Sequence, residues 1–377
     1  MASIYLIRHC ESEGNACRRT QAQTDALVTA KGYQQSEMLR RRFSGTPIDA
    51  IYTSDAFRSV MTVEPIARER NIPIRVRIHL REVTTGIWED MAWGNIAQDY
   101  PEDFRNWEEH PWAHTTPGGS TFQQAADRLV FALRRIAREV GDGTALCVSH
   151  SCAIKAGLCA VMGRPLSDVA IVGHGDNTAV SLLHVDGGGE FSVAYVNDDS
   201  HLPADLRRAW NGVAGADINM AVNAVQPEKD LDVLLRLMHQ ERLERAGTDD
   251  LEDAACRARA LALLAQHPNY IALGYLKGEA VGYVWMEEEA LTPEECGHIG
   301  AMYVIPALWG NCYAEQLFGY AAHEFRYGGK GVVTMGLPVL PEERRIAERF
   351  LFARMKGFGD RIALPLFSPP LPYPILA

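Results

Sequence analysis

Short apolar runs and stretches of helical period alternate through the first half of the chain. "SIYLI" (residues 3–7), "DAIYTS" (49–54) and "TALCVS" (144–149) are brief, apolar and rich in β-branched residues, as strands buried on both faces tend to be. In "TFQQAADRLVFALRRIAREV" (121–140), Phe122, Ala126, Leu129, Leu133, Ile136 and Val140 recur at helical spacing. Ser120 or Thr121, just after the turn "PGG", can cap that helix. Residues 30–43 and 58–70 read as further helices, the second shortened or kinked by Pro65. Strands alternating with helices predict an α/β fold whose parallel sheet is covered on both sides.

That pattern ends near "VNDDSHLPADL" (196–206). The polar segment that follows, "RRAWNGVAGAD", holds Gly212 and Gly215 and suits a linker. A new series then begins: a strand in "INMAVNAV", two polar-faced helices across 228–266, and strands in "YIALGYL", "AVGYVWMEE" and "GHIGAMYVI". Lys277-Gly278, between two apolar runs, signals a hairpin. The proline-rich end, "PLFSPPLPYPILA", reads as an extended tail or edge segment. The predicted organisation is one domain over 1–205, a linker over 206–215 and a second domain over 216–377.

Composition and charge narrow the function classes. A chain of 377 residues exceeds what one core usually serves. A formal charge of −11 argues against a nucleic-acid partner. No apolar stretch approaches the roughly 20 residues of a membrane span, and Arg8, His9 and Glu11 interrupt the N-terminal run before a signal peptide could form. The eight cysteines form no C-x-x-C pair and several lie in apolar runs, so a reduced, cytoplasmic protein is the expectation. A small phosphorylated metabolite remains compatible with an acidic protein that has one local cationic pocket.

Three strand ends deliver candidate chemistry: Arg8-His9 after "SIYLI", Ser54 to Arg58 after "DAIYT", and His150 after "TALCVS". In an open parallel sheet, ligands bind at the carboxyl ends of the strands. Two histidines and two arginines converging there make a pocket for a dianion, because the arginine fork gives bidentate, charge-assisted hydrogen bonds. Each residue alone reads as a surface charge at a loop start; the case rests on their joint placement.

An ordered series of segments then resembles the histidine phosphatase (phosphoglycerate mutase-like) superfamily. "LIRHCESEGN" is similar to L-x-R-H-G-E-[T/S]-x-x-N, "VTAKGYQQS" to L-T-x-x-G-x-x-Q-A, and "IYTSDAFRSVMTVEPIA" to Y-S-S-D-L-x-R-A-x-Q-T-A-x-x-I-A. "LREVTTGIWEDM" resembles the stretch that carries the acid, "PGGSTF" stands for P-G-G-E-S, "CVSHSCAIKA" for V-S-H-G-x-x-I-R, and "NDDSHL" matches the closing segment. The resemblance implies a three-layer α/β/α domain with a mostly parallel sheet. It implies that His9 is the nucleophile, that Arg8, Arg58, Asn15 and His150 hold the phosphoryl group, and that Glu82 is the general acid and later the base. No metal or other cofactor is called for. A neutral imidazole is a usable nucleophile near pH 7, and phosphoryl transfer asks mainly for positioning and charge stabilisation.

Glu89 competes with Glu82, and the register of "LREVTTGIW" favours Glu82. Glu11 and Glu13 read as hydrogen-bonding or solvated loop charges. His110 and His114 in "HPWAH" have the spacing of helical metal ligands, but Pro111 disfavours a helix there, so loop or substrate-cover residues are expected rather than a metal site. Trp107, Trp112 and Phe104 either roof the site or are ordinary packing. The compact stretch between Glu82 and His150 resembles that of the small broad-specificity phosphatases and favours hydrolysis over a mutase-type phosphotransfer. Cys10 stands where the family has glycine. A negative φ and burial behind the site are expected, with no His9–Cys10 dyad, since neighbours on extended chain point opposite ways.

From about residue 216 the chain resembles a GNAT-type acetyltransferase, an α/β domain with a mixed sheet. "GHIGAMYVIPALWGNCYAEQLFGYAAHEF" has the layout of that family's central strand, V-x-P loop and following helix. By that resemblance Gly310, Asn311, Cys312 and Ala314 would form a coenzyme A pyrophosphate loop. Trp309 replaces the usual Arg or Gln, Cys312 replaces a glycine, and Ala353 stands where a tyrosine acid is common. Two expectations follow: a bifunctional enzyme that also uses acetyl-CoA on the same metabolite, or a degenerate module for homodimerisation, stability or substrate recognition.

Overall fold

The computed structural model describes residues 1–173, 175–207, 218–288, 296–355 and 358–369. The expected linker with Gly212 and Gly215 lies almost wholly outside the described residues, as does the proline-rich end beyond residue 369.

The first sheet contains β1 (Ala2–Arg8), β2 (Ala50–Thr53), β3 (Ile74–Val76), β4 (Thr144–Ser149), β5 (Val180–Val185) and β6 (Phe191–Asp198), in the order β3-β2-β4-β1-β5-β6. Four strands are parallel, as the sequence pattern predicts, and β5 and β6 add an antiparallel edge. That edge escapes a pattern search because β6 alternates half-buried and exposed positions. The helices are α1 (Glu13–Ala16), α2 (Ala30–Arg42), α3 (Phe57–Arg70), α4 (Trp93–Asp99), α5 (Pro101–Glu109), α6 (Phe122–Val140), α7 (Ser151–Val161) and α8 (Val169–Val172).

Strand alternation sends Ile4, Leu6 and Cys147 to one face, where α6 and α7 cover them with Leu129, Leu133, Ile136, Ile154 and Leu158. Ile7, Leu146 and Val148 face α2 and α3 through Leu39, Phe43, Val60, Val63 and Ile66. Thr121 caps α6 in a reciprocal box with Gln124. Pro65 does not shorten α3: its packed inner face, Val60, Val63, Ile66 and Ala67, carries the helix past the missing N–H.

The second sheet contains β7 (Ala221–Ala224), β8 (Ile271–Leu276), β9 (Glu279–Glu288), β10 (Cys296–Val304), β11 (Val332–Met335), β12 (Ala353–Arg354) and β13 (Ile362–Pro365), in the order β12-β13-β11-β10-β9-β8-β7. Among the described residues of this sheet, only β10 and β11 pair in parallel. The β8–β9 hairpin turns on Lys277 and Gly278, both left-handed at φ 52° and 83°, the backbone a primed two-residue turn requires. Helices α9 (Pro227–Ala246) and α10 (Asp253–Gln266) cover one face; α11 (Tyr313–Tyr327) and α12 (Pro341–Arg349) cover the other.

The two sheets are joined by packing. Ala16 and Cys17 of the first half belong to the same buried cluster as Phe318 and Ala322 on α11. At Gly319 a Cβ would lie 2.6 Å from the Cβ of Cys17, so α11 lies flush on this segment only as glycine. Asn95 on α4 completes the edge of the second sheet: its Oδ1 accepts from the Val222 N–H (3.0 Å) and its Nδ2 donates to the Val222 carbonyl (3.2 Å).

Candidate active site

Strand register builds the centre of the site. β1 and β4 run parallel with Arg8 opposite Ser149, so the next residues, His9 and His150, leave the sheet side by side. The His9 N–H donates to the Ser149 carbonyl (3.0 Å), and the two imidazole centroids are 5.1 Å apart. His9 Nδ1 is 2.7 Å from the Cys10 carbonyl, an oxygen that can only accept. Nδ1 therefore carries the proton, and Nε2 keeps its lone pair.

Arg58, in the first turn of α3, is fully buried. Its Nη2 donates to the carbonyls of Gln21 (3.1 Å) and Ala22 (3.2 Å) and to His150 Nδ1 (3.3 Å). His150 thus holds its proton on Nε2 and donates it to Ser54 Oγ (2.8 Å). The Arg58 Nε–H is buried without a hydrogen-bond partner among the described residues, a donor in want of an acceptor. Arg8 is held by the Gly175 carbonyl (2.8 Å). Burial, reinforced by the Arg58 and Arg8 charges, keeps His9 well below the usual histidine range; burial, with Arg58 and then His9, does the same to His150. Both rings are neutral near pH 7.

Arg8, His9 and Arg58 open onto a cavity of about 460 Å³ that also takes in Asn15, Glu82 and Lys155; His150, expected among the phosphate-binding residues, packs against His9 and Arg58 and does not line it. Glu82 lies at the start of α7, where its carboxylate accepts from the Ala153 N–H (2.8 Å) and the Cys152 N–H (3.1 Å). Glu89 is elsewhere occupied. One of its oxygens accepts from the N–H groups of Ala22, Gln23 and Thr24 at 2.7–2.9 Å, and the other from the Thr85 hydroxyl (2.7 Å). Burial opposes its ionisation, yet the Thr24 N–H, the Thr85 hydroxyl and the Gln23 N–H outweigh it and hold Glu89 below the usual carboxylate range. Glu89 organises a loop, and Glu82 faces the cavity.

Several expectations change at this level. Glu11 and Glu13 are not solvated; both are buried against arginines of the C-terminal half. His110 and His114 lie past the end of α5, and His114 stacks on Trp88 at 5.5 Å. Among the described residues no group of side chains is arranged to hold a metal. Phe104 and Trp107 line the cavity together with Trp93, whereas Trp112 packs with Val83 and Phe122. Cys10 has no positive φ and is buried against Val28 and Phe57; burial pushes its thiol up to about 11. The loop Gly310 to Ala314 is no anion cradle. The Gly310 N–H donates to Glu342 Oε1 (2.9 Å), Cys312 and Ala314 are buried, and Glu315 is buried in the first turn of α11. Carboxylates already occupy the place where a pyrophosphate would need free donors, so the reading of Gly310, Asn311, Cys312 and Ala314 as a coenzyme A site finds no support.

Asn177 carries no sequence signal, yet its Nδ2 donates to the His9 carbonyl (2.9 Å) and to Asn15 Oδ1 (3.1 Å), tying His9 to the loop that follows it.

The sequence matches the profile of the histidine phosphatase superfamily (branch 1) over residues 4–199. The chain belongs to this superfamily. Over 186 residues it is 30% identical to phosphoserine phosphatase 1 of Hydrogenobacter thermophilus, a match covering 49% of this chain and 88% of that protein. It is 31% identical to a probable phosphoglycerate mutase, GpmB, of Salmonella typhi, over 44% of this chain and 77% of the relative. Among solved structures it resembles Bacillus stearothermophilus YhfR, with a TM-score of 0.51 and 32% identity, covering 53% of this chain and 99% of that one. Phosphatases and mutases of the superfamily share phosphoryl chemistry on small metabolites, and the first half of this chain is phosphoglycerate mutase-like in fold.

Proposed function

We propose that the protein hydrolyses a small phosphomonoester through a phosphohistidine on His9, with no metal and no cofactor. One observation carries the reading: a neutral His9, its Nδ1–H fixed on the Cys10 carbonyl, opens onto the same cavity as Arg8, Arg58 and Asn15. Nε2 attacks phosphorus, the P–N bond forms, and the ester P–O bond breaks. Arg8, Arg58 and Asn15 spread the charge of the equatorial oxygens, and His150, accepting from Arg58 Nη2, orients that guanidinium. Glu82 delivers a proton to the departing alkoxide, then as carboxylate takes one from water, whose oxygen displaces His9 and releases phosphate. Hydrolysis is favoured over mutase-type transfer by the compact segment between Glu82 and His150. Phosphoserine and phosphoglycerate, named in the relatives, are the first substrates to try.

For the second half we infer a GNAT-like fold without acetyl transfer. The mixed sheet, its single parallel pair β10–β11 and the helix α11 after the "VIP" loop support the fold. The engagement of the Gly310 N–H by Glu342 argues against the chemistry. In this reading 1–205 and 216–377 are two units, the second serving the first.

The test is a leaving-group comparison. His9→Ala removes hydrolysis altogether. Glu82→Gln lowers kcat on an alkyl phosphate about 10²–10⁴-fold and much less on p-nitrophenyl phosphate, whose leaving group needs no proton. Equal losses on both esters would remove Glu82 from the acid role.

A further inference from the structure

The loop that joins His9 to Asn15 is held from the other half of the chain. Its two carboxylates, Glu11 and Glu13, are buried, and each meets an arginine of the C-terminal half. Arg349, the last residue of α12, donates through Nη2 to both oxygens of Glu11 (3.0 Å each). Arg326, near the end of α11, places Nη1 (2.7 Å) and Nη2 on the two oxygens of Glu13, while its Nε donates to the Leu366 carbonyl (2.8 Å). All three nitrogens of Arg326 are thus engaged, and the guanidinium is a two-pronged clamp rather than a loose counter-charge.

Glu13 opens α1, a single turn that its own backbone bonds could not sustain in isolation. The Glu13 N–H donates to the Leu27 carbonyl (2.8 Å), and the Glu13 carbonyl accepts from the Cys17 N–H (2.7 Å). With the side chain clamped as well, Glu13 anchors the turn, and what the turn carries is Asn15. The Asn15 Oδ1 accepts from Asn177 Nδ2 (3.1 Å) and from the Ser12 N–H (3.3 Å). Two donors on the oxygen fix the orientation of the amide. Its Nδ2 bonds no described residue and is left as a donor in the cavity that His9 lines.

We propose that Arg326 is a positioning residue of the phosphatase site: by clamping Glu13 it fixes the turn of α1 that presents the Asn15 amide to the phosphoryl group. Arg349, on Glu11, secures the same loop nearer His9. The C-terminal half then has a task in the reaction that needs no chemistry of its own. The role of Asn15 toward a phosphoryl group rests on the phosphatase reading; the clamp rests on the Arg326–Glu13 contact alone.

The experiment is a mutant cycle on the full chain, read by calorimetry with inorganic phosphate and by kcat/KM on p-nitrophenyl phosphate, with the melting temperature measured alongside. Its arms are Asn15→Ala, the paired change Glu13→Gln with Arg326→Met, which removes the clamp without stranding a buried charge, and all three changes together. Asn15→Ala weakens phosphate binding about tenfold, the paired change does so to a similar degree, and the triple variant is no weaker than Asn15→Ala. A paired variant that binds phosphate as tightly as the unaltered chain makes the contact structural only and overturns the proposal. So does a triple variant whose loss is the product of the other two, or an Asn15→Ala chain that binds phosphate normally. If the paired variant does not fold, Arg326→Lys, which keeps the charge but not the fork, takes its place in the same cycle. A chain that hydrolyses no phosphomonoester yet shows the non-additive loss of phosphate affinity removes the phosphatase reading and leaves this one standing. Hydrolysis through His9 with multiplicative losses does the reverse.

Discussion

His9 and His150 are buried and neutral because burial and the nearby arginines disfavour a second positive charge. His201, bonded to Thr178 and beside Arg42, is likewise lowered, to about 4, chiefly by burial. The unfolded chain takes protons on these rings near pH 6.5 and the folded chain only well below that. Their contribution to stability is therefore full above about pH 6.5 and is lost as pH falls toward the folded values. In phosphate-free buffer the melting temperature should fall between pH 7 and pH 5, with His9 and His150 each contributing up to about 1.4 kcal/mol per pH unit. His201→Gln should flatten the slope; a slope unchanged in that variant would contradict the assignment. At this scale the residues of the proposed site are legible in the sequence, because Arg8-His9, Arg58, Glu82 and His150 each lie in a segment that resembles the superfamily. Asn177 and Arg326 are not, because their contacts arise from chain segments that meet only in the fold.

Among elements, the decisive contact is α4 against β7. A Cβ on Gly94 would come within 2.2 Å of the Met220 backbone, so this approach tolerates only glycine, and Asn95 beside it pairs with the exposed edge of β7. Gly94→Ala should lower the urea midpoint by an amount worth roughly 1–3 kcal/mol, as overpacking usually does. A neutral outcome would mean that the two halves can separate at that seam without cost. The strands and helices that position the site follow from period and capping, as at Thr121 and Lys277-Gly278. The edge strands β5 and β6 and the persistence of α3 through Pro65 do not, since both depend on what lies next to them in space.

In the whole molecule, the C-terminal half grips the loop that follows His9. Arg326 pairs with Glu13 through Nη1 (2.7 Å) and Nη2, Arg349 pairs with Glu11 (3.0 Å), and His323 bonds Asp90 (2.7 Å). The Arg326–Glu13 side chains are 8% and 3% exposed, so removing one partner strands a buried charge. Glu13→Gln should cost about 3–5 kcal/mol, and Glu13→Gln combined with Arg326→Met should recover most of it. The same pairs explain why Glu11 and Glu13 look like ordinary loop charges in the sequence: their partners lie more than three hundred residues away. The second half, read as a domain in its own right, is bound into the first by a shared core and this ionic seam.

The central claim is that phosphoryl passes through His9. Full-length protein, mixed with a hydrolysed substrate and quenched in alkali, should carry an acid-labile, alkali-stable phosphoryl group on the peptide containing His9, formed in the presence of chelator and absent from His9→Ala. Hydrolysis that persists in His9→Ala, or a phosphoryl group found on another residue, would contradict the account.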